Sequence, residues 1–126
     1  MQIYKTPLRE FKFLIEDFLN LKESETLKKL DLETSDLMLI IEEAAKLCEE
    51  TLLPLNQSGD SEGCSFNNGV VTAPKGFKEA YKTFSENGWQ GLKVKEEFGG
   101  QNLPYIMNMI LDEMIRSEER RVGKEC

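Results

Sequence analysis

The chain has 126 residues, 40% hydrophobic and 31% charged, which suits one domain with a modest core and is too little for a multidomain enzyme. Sixteen basic against 23 acidic residues leave a net charge of −7, a surface that repels a phosphate backbone and argues against nucleic-acid binding. Histidine is absent, which removes the usual neutral-pH base, the usual zinc ligand and the Ser-His and Cys-His nucleophile pairs together. No apolar run approaches the ~20 residues that span a bilayer, and no basic-then-apolar leader opens the chain. The expectation is a cytoplasmic protein with no membrane span. Three cysteines, Cys48, Cys64 and Cys126, form no Cys-x-x-Cys pair, so no metal or redox site is expected.

Thr6-Pro7 predicts a helix start, with Thr6 as N-cap and Pro7 at the first helical position. Leu8, Phe11, Ile15 and Phe18 follow at helical spacing, widened by Leu14 and Leu21. A short helical turn is expected around Leu27 and Leu30. Thr34 or Ser35 would cap the next helix, whose inner face is Leu37, Ile40, Ile41, Ala44, Leu47, Cys48 and Leu52. Glu42, Glu43, Lys46, Glu49 and Glu50 make its solvated side, with Lys46 available to Glu42 one turn away. Pro54 predicts a kink near Glu50 and a stop by Asn56. Residues 57–72 read as loop and turn, with a small hairpin at Asn68-Gly69, where both central positions of the favoured turn need positive φ. Pro74 opens a helix striped by Phe77, Ala80, Tyr81 and Phe84, and Gly88 ends it. A final, almost wholly apolar helix runs from Leu103 or Pro104 to at least Ile115. Such a helix is expected to be covered nearly all round in a finished fold, and to leave an aggregation-prone apolar patch when it is not. The fold class is all-α with a small turn or ribbon insert.

Between the last two helices lies the most informative stretch, Gly88 to Pro104, which holds the only Trp. A connection this long is more often a functional loop than filler. Gly99-Gly100-Gln101-Asn102 could offer backbone N–H groups to a phosphate, or could simply join two elements through left-handed residues. It lacks the Gly-Lys-Ser/Thr of a P-loop. Trp89 reads as a plug packing back beside the helix-ending Gly88, with ligand stacking as the sharper option. The methionines of the last helix could line an adaptable cavity or be ordinary core.

The order of motifs resembles the acyl-CoA dehydrogenases, in particular a long bacterial subgroup. Gly88-Trp89-Gln90-Gly91-Leu92 and Phe98-Gly99-Gly100-Gln101-Asn102-Leu103-Pro104 carry the resemblance. It is supported upstream by Tyr4-Lys5-Thr6-Pro7-Leu8-Arg9-Glu10-Phe11, by Glu42-Glu43-Ala44-Ala45-Lys46, and by Gly63-Cys64 through Pro74-Lys75-Gly76-Phe77. The family usually carries Gly where this chain has Asn102, a mild departure because Asn tolerates left-handed φ. The resemblance implies the truncated N-terminal helical domain of an FAD enzyme that oxidises acyl-CoA thioesters. In that family a glutamate removes the α-proton while a hydride passes from the β-carbon to the flavin, and both the base and most flavin contacts belong to later domains. It follows that no catalytic, cofactor-binding or metal residue is expected between Met1 and Ile115. Trp89, Gly99, Gly100, Leu103, Pro104, Met107 and Ile110 are the motif and cavity-wall candidates. The implied partners of the whole protein are an acyl-CoA substrate, an electron-transfer acceptor and further copies of itself. An acyl-CoA oxidase, an alkylation-response flavoprotein, a stand-alone helical binding module and a structural oligomerisation piece remain open alternatives.

The expected organisation is a helical extension over 1–31, the family's helical domain over 32–115, and a tail over 116–126. The tail, Arg-Ser-Glu-Glu-Arg-Arg-Val-Gly-Lys-Glu-Cys, carries seven charges in eleven residues and resembles a translated sequencing adapter. It is expected to be non-native, the alternative being a solvated charged tail.

Overall fold

Apolar residues at helical spacing dominate the chain, and the computed structural model, which describes residues 3–119, is a helical assembly with one small ribbon. The elements are α1 (Leu8–Lys12), a π-helical continuation (Phe13–Phe18), α2 (Glu25–Leu30), α3 (Thr34–Lys46), a second π segment (Leu47–Leu52), α4 (Leu53–Glu62), β1 (Ser65–Asn67), β2 (Val70–Thr72), α5 (Phe77–Glu86) and α6 (Tyr105–Glu119). The expected all-α class with a ribbon insert is the observed one. Of the tail, 116–119 continue α6 and 120–126 lie outside the described residues.

The N-terminal helix departs from its expected phase. Thr6 is not its cap: Pro7 holds that position without a capping side chain, and Thr6 is buried. Its N–H instead donates to Glu49 Oε1 at 2.8 Å, so a long-range partner replaces the local one. Phe11 and Ile15 are buried as predicted, but Phe18 is 70% exposed. The cause is the π segment, where Leu19 N–H reaches back five residues to the Leu14 carbonyl at 2.8 Å. A π turn takes up an extra residue, so a stripe counted at 3.6 per turn rotates out of register inside it.

α2 forms around buried Leu27, capped by the Ser24 hydroxyl, which accepts from Thr26 N–H at 3.2 Å. Asp31 closes it in the left-handed region at φ 53°. The cap of α3 is Glu33 rather than Thr34 or Ser35. Its N–H donates to Asp36 Oδ2 at 2.8 Å, the reciprocal half of a capping box, which makes Asp36 more than a favourable charge at the positive helix end. Leu37, Ile41, Ala44 and Cys48 are buried along α3 and the π segment beyond it, each large aliphatic worth about 1.5–3 kcal/mol of transfer free energy.

Pro54 does not stop the helix near Asn56, because the chain stays helical to Glu62. Proline lacks an N–H and crowds the carbonyl four residues back. The π turn just before it, closed by Leu53 N–H on the Cys48 carbonyl, relieves both at once. Residues 57–62 are therefore helix, and the loop begins at Gly63, with φ 67°. The hairpin is where the Asn-Gly pair puts it: Phe66 faces Val71 and Asn67 faces Val70 across an antiparallel pair, with Asn68 at φ 49° and Gly69 at φ 80°. α5 starts at Phe77 rather than Pro74, after a turn in which Phe77 N–H bonds the Pro74 carbonyl at 3.2 Å. Only Ala80 of its stripe is fully buried, and Tyr81 is 67% exposed.

α6 closes the core, packing against α3, the second π segment and α4, while α1 lies against α3. Met107, Ile110, Leu111 and Met114 face this seam. In the described residues α6 is amphipathic rather than covered all round, with Tyr105 and Met109 exposed.

Candidate functional site

The site region is the connection from Gly88 to Pro104 and the first turns of α6. Gly88 ends α5 in the left-handed region at φ 76°, as a C-terminal glycine should. Trp89–Gly91 then form a 3-10 turn, and a second spans Glu96–Phe98. The two limbs are stitched together by backbone bonds. Gln101 N–H donates to the Gly91 carbonyl at 3.0 Å, Asn102 N–H to Val94 at 2.8 Å and Leu103 N–H to Leu92 at 2.8 Å. Leu92, 4% exposed, anchors the loop in the core.

Gly100 is the position where this path allows nothing larger. A Cβ there would collide with the Val94 carbonyl oxygen, the same carbonyl that accepts from Asn102. Gly99 and Asn102 take positive φ, 82° and 52°, so the left-handed joining role expected of this tetrad is what it performs. The phosphate-cradle reading does not fit. Phe98 and Gly99 N–H donate to Lys95 and Glu96, and Gly100 N–H donates to Lys95. With the three cross-limb bonds, every N–H from Phe98 to Leu103 is turned inward, and none is left for an anionic ligand.

The other candidates separate. Trp89 is half-buried and packs on the core, the plug reading, while it also borders a shallow groove shared with Glu43, Lys46, Leu47, Glu50, Thr51 and Asn87. Leu103 packs against the core and Pro104 is half-buried. Met107 and Ile110, expected as cavity-wall positions, are buried in the core cluster at 2% and 8% exposure. The open face of α6 belongs to Tyr105 and Met109, one turn apart. Lys93 Nζ sits 4.5 Å from the Tyr105 ring centroid, a cation–π contact between loop and helix that no spacing rule announced.

Of the carboxylates expected on the solvated side, Glu42, Glu43 and Glu50 are exposed and Glu49 departs from the pattern. Lys46 pairs with Glu43, not Glu42, and Glu49 is not a surface charge. Its side chain is only 20% exposed and accepts from Lys5 Nζ at 3.0 Å as well as from Thr6 N–H. Burial opposes the Glu49 charge, but the bonds from Thr6 and Lys5 outweigh it and hold the carboxyl below its ordinary range. Among the described residues no cluster of His, Cys, Asp and Glu is placed to hold a metal, and no helix is long and apolar enough to cross a membrane.

Residues 34–119 match the family described as acyl-CoA dehydrogenase, N-terminal domain. The chain belongs to the acyl-CoA dehydrogenase family. It is 34% identical over 121 residues to a protein named 3-methylmercaptopropionyl-CoA dehydrogenase from Ruegeria pomeroyi, an alignment covering 95% of this chain and 21% of that protein. What matches is thus an acyl-CoA dehydrogenase N-terminal domain, and the stitched loop and α6 lie inside it. Helices α1 and α2 precede the matched span.

Proposed function

We propose that this chain serves as the N-terminal helical domain of a longer FAD-dependent acyl-CoA dehydrogenase, which desaturates acyl-CoA thioesters at the α,β position. Its own contribution is packing and one wall of the substrate cavity, with no catalytic residue. The observation that carries this is the family match over residues 34–119, joined to similarity with a protein named as an acyl-CoA dehydrogenase. That name favours a dehydrogenase over the oxidase and alkylation-response alternatives.

FAD would accept the hydride in the whole enzyme. The inward-turned N–H groups of the Gly99-Gly100 loop argue that its pyrophosphate is held elsewhere in the polypeptide. Within the proposed cavity the exposed Tyr105 and Met109 are better wall residues than the buried Met107 and Ile110. An acyl-CoA thioester and an electron-transfer acceptor are the proposed partners of the whole protein, which is proposed to work in the cytoplasm as a homo-oligomer.

The division of labour is tested by purifying residues 1–126 with excess FAD and measuring flavin absorbance after gel filtration. Negligible flavin is expected. Stoichiometric, tightly held FAD would overturn the assignment of cofactor binding to other domains.

A further inference from the structure

The segment ahead of α3 meets the family domain through an apolar face and through one carboxylate, Glu49. Tyr4, Phe11, Ile15 and Leu27 all lie in the common core and Thr6 is buried, although every one precedes the matched family span. Hydrophobic contact alone does not fix the entry of this segment, because Thr6 is 4% exposed and its N–H must find an acceptor away from water. The acceptor is Glu49 Oε1 at 2.8 Å, while Glu49 Oε2 takes Lys5 Nζ at 3.0 Å. Glu49 itself lies in the π segment Leu47–Leu52, the part of the long helix against which α6 and α5 also pack.

We propose that Glu49 is the latch of an N-terminal strap: residues 4–30 stay docked on the α3–α6 seam while its carboxylate holds the Thr6 N–H, and swing free when that carboxylate is neutralised. Cys48, fully buried, shares the core cluster with Tyr4 and Phe11 of the strap and with Met107 and Met114 of α6. The charged and titratable groups at the contact are Tyr4 and Lys5 on the strap, Cys48 and Glu49 on the π segment, and Glu113 on α6. Burial foremost pushes the Tyr4 phenol up, so it stays uncharged where Glu49 titrates and adds no charge of its own to the contact. A carboxyl held below its unfolded value contributes its stability above that value, and loses it as pH falls through the lower folded one. The strap is therefore an acid-released element. Lys5 is 81% exposed, so its ion pair adds little.

Amide hydrogen exchange on the full chain tests this, comparing wild type with Glu49→Leu, Glu49→Gln and Lys5→Ala near neutral pH and in a descending series below the ordinary Glu value of about 4.3. In Glu49→Leu, amides of α1 and α2 should exchange about tenfold faster or more, relative to intrinsic rates, while Leu37–Ala45 of α3 keep their protection. Wild type should show the same selective loss in acid. Glu49→Gln imitates the neutral carboxyl and cannot titrate, so its α1–α2 exchange should already be raised near neutral pH and should show no further acid step, and Lys5→Ala should resemble wild type. Unchanged α1–α2 exchange in Glu49→Leu, or α3 opening together with α1, would overturn the latch. Should Glu49→Leu not fold, persistence of the acid step in Glu49→Gln would overturn it equally.

Discussion

Two glycine-bearing connections in this molecule solve the same problem in opposite ways. The hairpin at 65–72 is made by its own turn: Asn68 and Gly69 supply positive φ, two short strands pair, and every strand residue is exposed. The loop at 88–104 has no strand pairing. Its order comes from Leu92 inserted in the core and from backbone bonds that cross between its limbs. A ribbon defined by local dihedrals tolerates changes in side chain, whereas a loop defined by close backbone approach does not. Glycine does different work in each: Gly69 permits an angle, and Gly100 leaves out an atom.

That contrast can be broken by substitution. The largest effect is expected for Gly100→Ala. Its Cβ would meet a backbone carbonyl, which cannot yield without breaking the bond from Asn102, so the loss should be about 3 kcal/mol or more in a denaturant midpoint. Gly69→Ala should cost only about 1 kcal/mol, from left-handed strain alone, since nothing lies within 4 Å of the added carbon. Smallest is Phe66→Ser on the ribbon, 74% exposed, expected to stay within about 0.5 kcal/mol of wild type by thermal melting. An equal cost for the two glycine substitutions would erase the distinction between angle and approach.

Local rules were legible in the sequence and long-range ones were not. Asn68-Gly69 and the left-handed Asn102 follow from the φ each residue tolerates, and the stripe Leu37, Ile41, Ala44, Cys48 follows from helical spacing. Phe18 was misplaced because periodicity assumes one residue count per turn, and nothing in Phe13–Phe18 signals a wider one. Pro54 was taken as a stop for the same reason. Of the site, the family was carried by the motif order between Gly88 and Pro104, but not the inward direction of its N–H groups. Composition alone also does not say which arc of a greasy helix meets its neighbour, here the arc of Met107 and Ile110 and not that of Tyr105 and Met109. Glu49 was hidden among Glu42, Glu43 and Glu50: its partner, Thr6, lies 43 positions away.

The wide turns at Phe13–Phe18 and Leu47–Leu52 behave like single-residue insertions accommodated inside helices. Excising one residue from the first would restore ordinary winding and swing Phe18 back toward the interior, trading a greasy outer surface for a crowded inner one. Excising one from the second would drive the Pro54 ring into the carbonyl it now avoids. The same local geometry is thus dispensable winding in one place and the condition for an unbroken rod in the other.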